Sequence, residues 1–242
     1  MITEKNALIT GGNKGIGFEV ARRLCELGFS VWLGCRNAER GEEAAANLRA
    51  MGYIAHALLL DVADPASVTT AVGVFHEQAG RLDVLVNNAG IILDHEKKPS
   101  EESIDNIKAV FETNVFGPIR VTQAFMPLLL EAPAARIVMT SSSVGSLSIM
   151  SDRNHPFYSI KEIGYCSSKS ALNAAVIAFA KELEGTNMKI NAGDPGHTST
   201  DFNNHAGPRS VEQAATVLVQ LATLDANGPN GGFFSEDEAR PW

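Results

Sequence analysis

Tyr165 and Lys169 stand four residues apart in an alanine-rich stretch. On a helix that spacing puts both on one face. An ammonium close to a phenol stabilises the phenolate and lowers the cost of moving its proton. Ser142 closes the run RIVMTSS (136–142), which reads as a strand, and the carboxyl ends of strands are where open α/β sheets hold ligands. A hydroxyl and a phenol converging on one oxygen would stabilise negative charge developing there.

A second group of residues suits phosphate. Thr10-Gly11-Gly12-Asn13-Lys14-Gly15-Ile16-Gly17 follows the β-type run ALIT (7–10). Glycines let the chain turn tightly and let N–H groups approach an anion, and the positive end of the next helix points at the same place. The spacing Gly11-x3-Gly15-x-Gly17 is a relative of the dinucleotide fingerprint rather than G-x-G-x-x-G itself. The second strand ends in Gly34-Cys35-Arg36-Asn37. A carboxylate at that tip would accept hydrogen bonds from a ribose 2′-OH. Arg36 stands there instead and can grip a 2′-phosphate with its planar fork, with Lys14 as a second positive charge. A lone lysine or arginine is ordinarily a solvated surface cation; two at one end of one pocket point to NADPH or NADP+.

The elements that must carry these groups alternate. Strands are read at 7–10, 30–35, 54–62, 83–90, 136–142, 188–192 and 231–234. Helices are read from Ile16 to Leu27, ended by Gly28, from Ala38 to Met51, from Asp64-Pro65 onward, from Ser103 to Glu131 with Pro118 and Pro127 as local perturbations, and from Tyr165 to Glu184. Ser143 to Gly164 reads as irregular and polar. Strand and helix alternating at this pace imply right-handed βαβ units. The fold class is therefore α/β: a single doubly wound Rossmann domain over 1–242, with a mostly parallel seven-stranded sheet flanked by helices.

Composition narrows the function classes. The 242 residues carry a net charge of -8 and are 45% hydrophobic. That charge offers no general attraction to nucleic acid or anionic membranes. The longest apolar run, Ala174 to Ala180, is far too short for a bilayer. Cys25, Cys35 and Cys166 are scattered, which argues for a reducing, cytoplasmic setting without a disulfide framework. The six histidines show no pair at ligand spacing, so no metal is expected, and His197 reads as a loop side chain.

Taken in order, Thr10-Gly11-x3-Gly15-x-Gly17, Asp61, Asn87-Asn88-Ala89-Gly90, Asn114, Ser142, Tyr165-x3-Lys169 and Pro195-Gly196 resemble the short-chain dehydrogenase/reductase family. The resemblance runs from about Lys5 to Phe234. TGGNKGIG followed by CRNAERG is similar to its carbonyl-reductase branch, which uses NADPH. The resemblance implies that Tyr165 is the general acid, that Ser142 polarises the carbonyl oxygen, and that Lys169 holds the nicotinamide ribose and lowers the Tyr165 pKa. It further implies that Asn114 supports a water linking Lys169 to solvent. Asp61 with Val62 would contact the adenine, and Asn88 would lie beside the adenosine-side ribose. Gly11, Asn13, Lys14, Gly15, Ile16, Gly17, Arg36 and Gly90 would complete the cofactor site. Pro195, Gly196, Thr198 and Thr200 would wrap the nicotinamide end and its phosphate.

The expected activity is an NADPH-dependent reduction of a ketone or aldehyde to an alcohol. Alternatives are an alcohol dehydrogenase, a 3-oxoacyl reductase of the same family, or a non-catalytic NADPH-binding sensor. Asp194, before Pro195, departs from the small or apolar residues commoner at that place. The segment 148–162 is an insertion before the catalytic helix. Its apolar members Ile149, Met150, Phe157, Tyr158 and Ile160 are expected to fold back over the substrate side. Its polar members would cover the helical surface otherwise used for pairing, so a monomer is expected, or at most a dimer.

Overall fold

Buried strands can be joined in parallel only through a crossover on one face of the sheet, and helices make those crossovers here. The computed structural model describes residues 5–95, 97–236 and 238–242. Its strands are β1 (Lys5–Thr10), β2 (Phe29–Cys35), β3 (Ala55–Leu59), β4 (Val84–Asn87), β5 (Arg136–Thr140), β6 (Lys189–Gly193) and β7 (Phe233–Phe234). Its α-helices are α1 (Gly15–Glu26), α2 (Ala38–Ala50), α3 (Pro65–Ala79), α4 (Ile104–Phe111), α5 (Gly117–Leu130), α6 (Leu147–Ser151), α7 (Ile163–Glu182) and α8 (Val211–Ala222).

The seven strands form one sheet in the order β3-β2-β1-β4-β5-β6-β7, and every neighbouring pair is parallel. Ile9 stands level with Leu33 on one side and Val86 on the other. The order reverses at β1 and β4, and that switch point opens a crevice at the carboxyl ends of the strands. One face packs against Val20, Leu24, Val217, Leu218 and Leu221. The other packs against Phe75, Phe125, Leu172 and Val176, where Phe75 meets Phe125 edge-on at 5.5 Å. No described helix is long and apolar enough to cross a membrane.

The differences from the sequence reading have local causes. α8 was not read at all, although Ser210 and Gln213 cap it reciprocally, amide to side chain at 3.0 and 3.3 Å. The expected helix from Ser103 to Glu131 is broken by a π-turn at Glu112–Phe116. Pro118 has no N–H to give the carbonyl of Asn114 four residues back, and the turn widens so that the Gly117 amide reaches Glu112. Between 143 and 164 the chain is less irregular than expected: α6 lies between short 3-10 turns at Ser143–Gly145 and Pro156–Ser159. Ile149 is buried; Phe157 and Ile160 line the crevice. Tyr158 corrects the expectation that every apolar member folds back, since it is 47% exposed.

Arg136 holds the opposite end of the sheet. Buried at the start of β5, its guanidinium donates to the carbonyls of Leu224, Ala134, Ala135, Asn187 and Asp225 at 2.8–3.0 Å. Arg136→Met strands those acceptors and should cost about 3 kcal/mol or more of stability, read from urea unfolding. Turnover per folded molecule should hold, because the crevice lies at the other end of β5. A stable variant, or a folded but inactive one, would contradict this division.

Candidate active site

The crevice is a cleft of about 1210 Å³. At one end the glycine turn joins β1 to α1. Gly11 and Gly15 have φ of 63° and 55°, a region closed to most side chains. A Cβ on Gly17 would lie 2.5 Å from Asn88 Nδ2 and from the Gly11 carbonyl. Asn88 braces this turn: its Nδ2 donates to the Thr10 carbonyl at 3.0 Å, and its amide donates to Thr10 Oγ1 at 2.9 Å. Lys14 begins α1 without a side-chain cap, so the first-turn N–H groups face the cleft as a ready anion site. Ile16 and Gly90 line the same wall. Asp61 folds its carboxylate onto the Ala63 amide at 3.0 Å, and the Val62 carbonyl accepts from Arg120; both residues stay on the cleft wall.

Arg36 is exposed at the tip of β2, on the cleft. Lys14 differs from expectation. Its ammonium is already paired across the cleft with Asp201 at 2.7 Å, and His205 joins the same carboxylate at 3.0 Å. Sequence reading passed over Arg40, which lines both the cleft and an adjoining hollow with Asn13 and Lys14. The spacing Arg36-x3-Arg40 at a helix start was the available signal.

At the other end the serine triplet separates by partner. Ser141 donates to Asn173 Oδ1 at 2.6 Å, and Ser143 donates to Asp194 Oδ2. Ser142 lines the cleft with Tyr165, its hydroxyl accepting only a long bond from the Val144 amide at 3.4 Å. Lys169 is 5% exposed. Its Nζ donates to the Thr140 carbonyl at 2.8 Å and lies 5.6 Å from the Tyr165 ring centre. Asn114 sits in the π-turn and brackets the Ile91 peptide, accepting from its amide at 2.8 Å and donating to its carbonyl at 2.9 Å. Its Nδ2 also reaches Ser168 on α7 at 3.1 Å.

Two further groups position Tyr165 and were invisible in the sequence. The Glu102 carboxylate accepts from the amides of Ile163 and Gly164, capping the positive end of α7 from 61 residues away. Phe202 lays its ring 5.7 Å from that of Tyr165. Phe202 belongs to the segment after Pro195 and Gly196, where Thr200 approaches Gly15 across the cleft. Thr198 lines the same cleft; it is buried, and its hydroxyl turns back to the carbonyls of Pro195 and Gly196.

Burial, and next the Asp194 carboxylate, push the Tyr165 phenol above its ordinary value, against a smaller opposing effect of Ser142. Such a phenol is neutral and able to donate a proton. Burial lowers Lys169 from 10.5 to about 8, with Asp194 opposing. Between those values the unfolded chain holds a proton that the folded chain has released, so stability rises with pH across that window. The stability of the protein relative to Lys169→Met should therefore increase from about pH 8 to 10.5. Urea unfolding over that range checks it, and a flat difference would place Lys169 in a solvated setting.

Comparison with known proteins agrees with this architecture. Residues 5–210 match the family described as short chain dehydrogenase. The chain is 33% identical to (-)-isopiperitenone reductase of Mentha piperita over 312 aligned positions, covering 98% of each. It is 34% identical to (+)-neomenthol dehydrogenase of Arabidopsis thaliana, over 98% of this chain and 97% of that protein. The crystal structure of NADPH-bound carbonyl reductase from chicken fatty liver superposes with a TM-score of 0.86 at 25% identity, covering all of both chains. With the glycine turn, the switch-point cleft and the Ser142–Tyr165–Lys169 arrangement in place, the chain belongs to the short-chain dehydrogenase family of oxidoreductases.

Proposed function

We propose that this protein reduces the carbonyl of a ketone or aldehyde to an alcohol, with NADPH as the reductant and Tyr165 as the general acid. The observation that carries the reading is the pairing of Ser142 and Tyr165. All three serines line the cleft with Tyr165, but the hydroxyls of Ser141 and Ser143 are already given to Asn173 and Asp194, which leaves that of Ser142 free to donate beside a phenol that burial keeps protonated. Both can donate to one oxygen, stabilising the negative charge that grows on it. Tyr165 then gives up its proton to that oxygen. Lys169, close to the ring, stabilises the phenolate left behind.

The residues present fit a phosphorylated dinucleotide. The cradle at Gly17 has no room for a side chain, and the uncapped start of α1 suits a pyrophosphate. Gly11, Asn13, Gly15, Ile16 and Gly90 would line that stretch, and Asp61 and Val62 the adenine. Asn88 would support it through the glycine turn. Arg36, with Arg40 and Lys14, would hold a 2′-phosphate, Lys14 by exchanging Asp201 for it. Pro195, Gly196 and Thr200 would close the nicotinamide end, with Thr198 fixing their turn. The dinucleotide supplies the hydride. Asn114 would hold a water on the route from Lys169 to solvent.

NADPH oxidation with a panel of neutral ketones and aldehydes is the direct test; tight NADPH binding with no turnover on any of them would favour a sensor. Arg36→Ala loses a charge-assisted phosphate contact and should raise the NADPH KM about ten- to a hundredfold while leaving NADH kinetics nearly unchanged. Equal losses with both cofactors would remove Arg36 from phosphate recognition. Tyr165→Phe keeps the ring and should keep NADPH binding while turnover falls by about 100-fold or more. Ser142→Ala should be severe and Ser143→Ala mild. The reverse order would transfer the polarising role to Ser143.

A further inference from the structure

Glu162 is a carboxylate on the wall of the cleft for which the proposed chemistry has no task. It begins α7 but leaves the capping of that helix to Glu102, which takes the amides of Ile163 and Gly164. Its own carboxylate turns to the loop after β4. Oε1 lies 2.9 Å from His95 Nδ1, and Oε2 accepts from the Lys161 amide at 3.2 Å. Glu162 and His95 both line the cleft, with Phe157 and Ile160 from the insertion and Ile92 from the loop. The Glu162 side chain is 12% exposed and that of His95 52%. The pair bridges insertion and loop at the start of the helix that carries Tyr165, three residues further on.

Resting on the proposed carbonyl reduction, we infer that Glu162 is a specificity-determining residue that sets the charge of the substrate: ketones or aldehydes that are neutral or carry an ammonium group are accepted, and those that carry a carboxylate are refused. Ile92, Phe157 and Ile160 on the same wall suit a hydrocarbon skeleton. Water screens a charge held among apolar groups poorly, so a second anion a few ångströms away is repelled and a cation is drawn in. His95 is the more exposed partner, so any charge it carries is screened more than that of the carboxylate.

The other charges on the cleft leave this one to decide. Among the described residues, the lysines and arginines of the wall are Lys14, Arg36, Arg40 and Lys169. The first three stand at the glycine-turn end, where the phosphates of the dinucleotide would engage them. Lys169 and Asp194 are buried and opposite in sign. Lys169 donates to the Thr140 carbonyl, and Asp194 accepts from the Gly196 amide and the Ser143 hydroxyl. Asp201 is paired with Lys14. Lys161 is exposed and is not part of the cleft wall.

Three probes of one shape test this: cyclohexanone, 4-oxocyclohexanecarboxylate and 4-(dimethylamino)cyclohexanone, which at neutral pH are uncharged, anionic and cationic. Steady-state kinetics with NADPH should give a KM for the carboxylate at least about tenfold above that for cyclohexanone, and for the amine one equal to it or lower. Glu162→Gln keeps the shape and an acceptor for His95 while removing the charge. It should lower the carboxylate KM and raise the amine KM until the three lie within about threefold, with cyclohexanone moving least. His95→Ala leaves the carboxylate in place and should keep or widen the discrimination, which covers the case of a Gln variant that does not fold. A wild type that takes the carboxylate as well as cyclohexanone, a preference that persists in Glu162→Gln, or a discrimination lost in His95→Ala would overturn the proposal. So would a change shared equally by all three probes, which would make the pair a structural bridge only. Ligand-observed NMR titrations of the same probes against the NADP+-loaded protein read the same order without turnover. If no probe turns over, the reading of the reaction fails while the titrations still decide the role of Glu162.

Discussion

A single hydrogen bond, from the Lys169 ammonium to the carbonyl of Thr140 at 2.8 Å, joins the helix that carries Tyr165 to the strand that ends at it. The ammonium is buried, and an ion in that setting persists only with polar partners. Close packing leaves it no alternative position. A Cβ on Gly145 would lie 2.8 Å from the Lys169 Cβ and its carbonyl carbon, so α7 rests directly on the backbone of the serine turn. The face of α7 that bears Tyr165 is aimed by this contact. The Glu102 cap fixes the same helix at its start, and Asn114 reaches its middle through Ser168. Three segments far apart in sequence thus converge on one helix, and the distance from Ser142 to the phenol follows from them.

The parts legible in the sequence were those written in local spacing. Tyr165-x3-Lys169 gives a shared helical face, the glycine turn gives a tight βα corner, and unbroken apolar runs give buried parallel strands. What escaped was of two kinds. Some signals were local but passed over: the reciprocal Ser210–Gln213 cap before α8, and Arg40 in the first turn of α2. Others have no local signature. Nothing near Ile163 announces that a carboxylate 61 residues back will cap it. The burial that raises the Tyr165 phenol likewise arises only from folding. Asp194 itself was legible as a departure, but the hydrogen bond it accepts from Ser143 was not.

The π-turn shows how a misfit can be placed to advantage. At Pro118 the helix loses a donor and the preceding turn widens, with α4 and α5 continuing on either side. The widened turn puts Asn114 against the Ile91 peptide and α7 at once. A regular helix through the same residues would rotate that side chain away, since each added residue turns the face by about a hundred degrees.

The pair between Lys14 and Asp201 spans the cleft with groups that both remain more than half exposed. On the proposed reading, a phosphate arriving at Lys14 does not neutralise a bare cation; it trades places with a carboxylate. Cofactor uptake is then an anion exchange in which Asp201 returns to water, keeping His205 as its neighbour. Dissolved salt weakens the incoming contact and the outgoing one together. The cleft should accordingly tolerate changes in ionic strength better than the density of positive charge at its rim suggests.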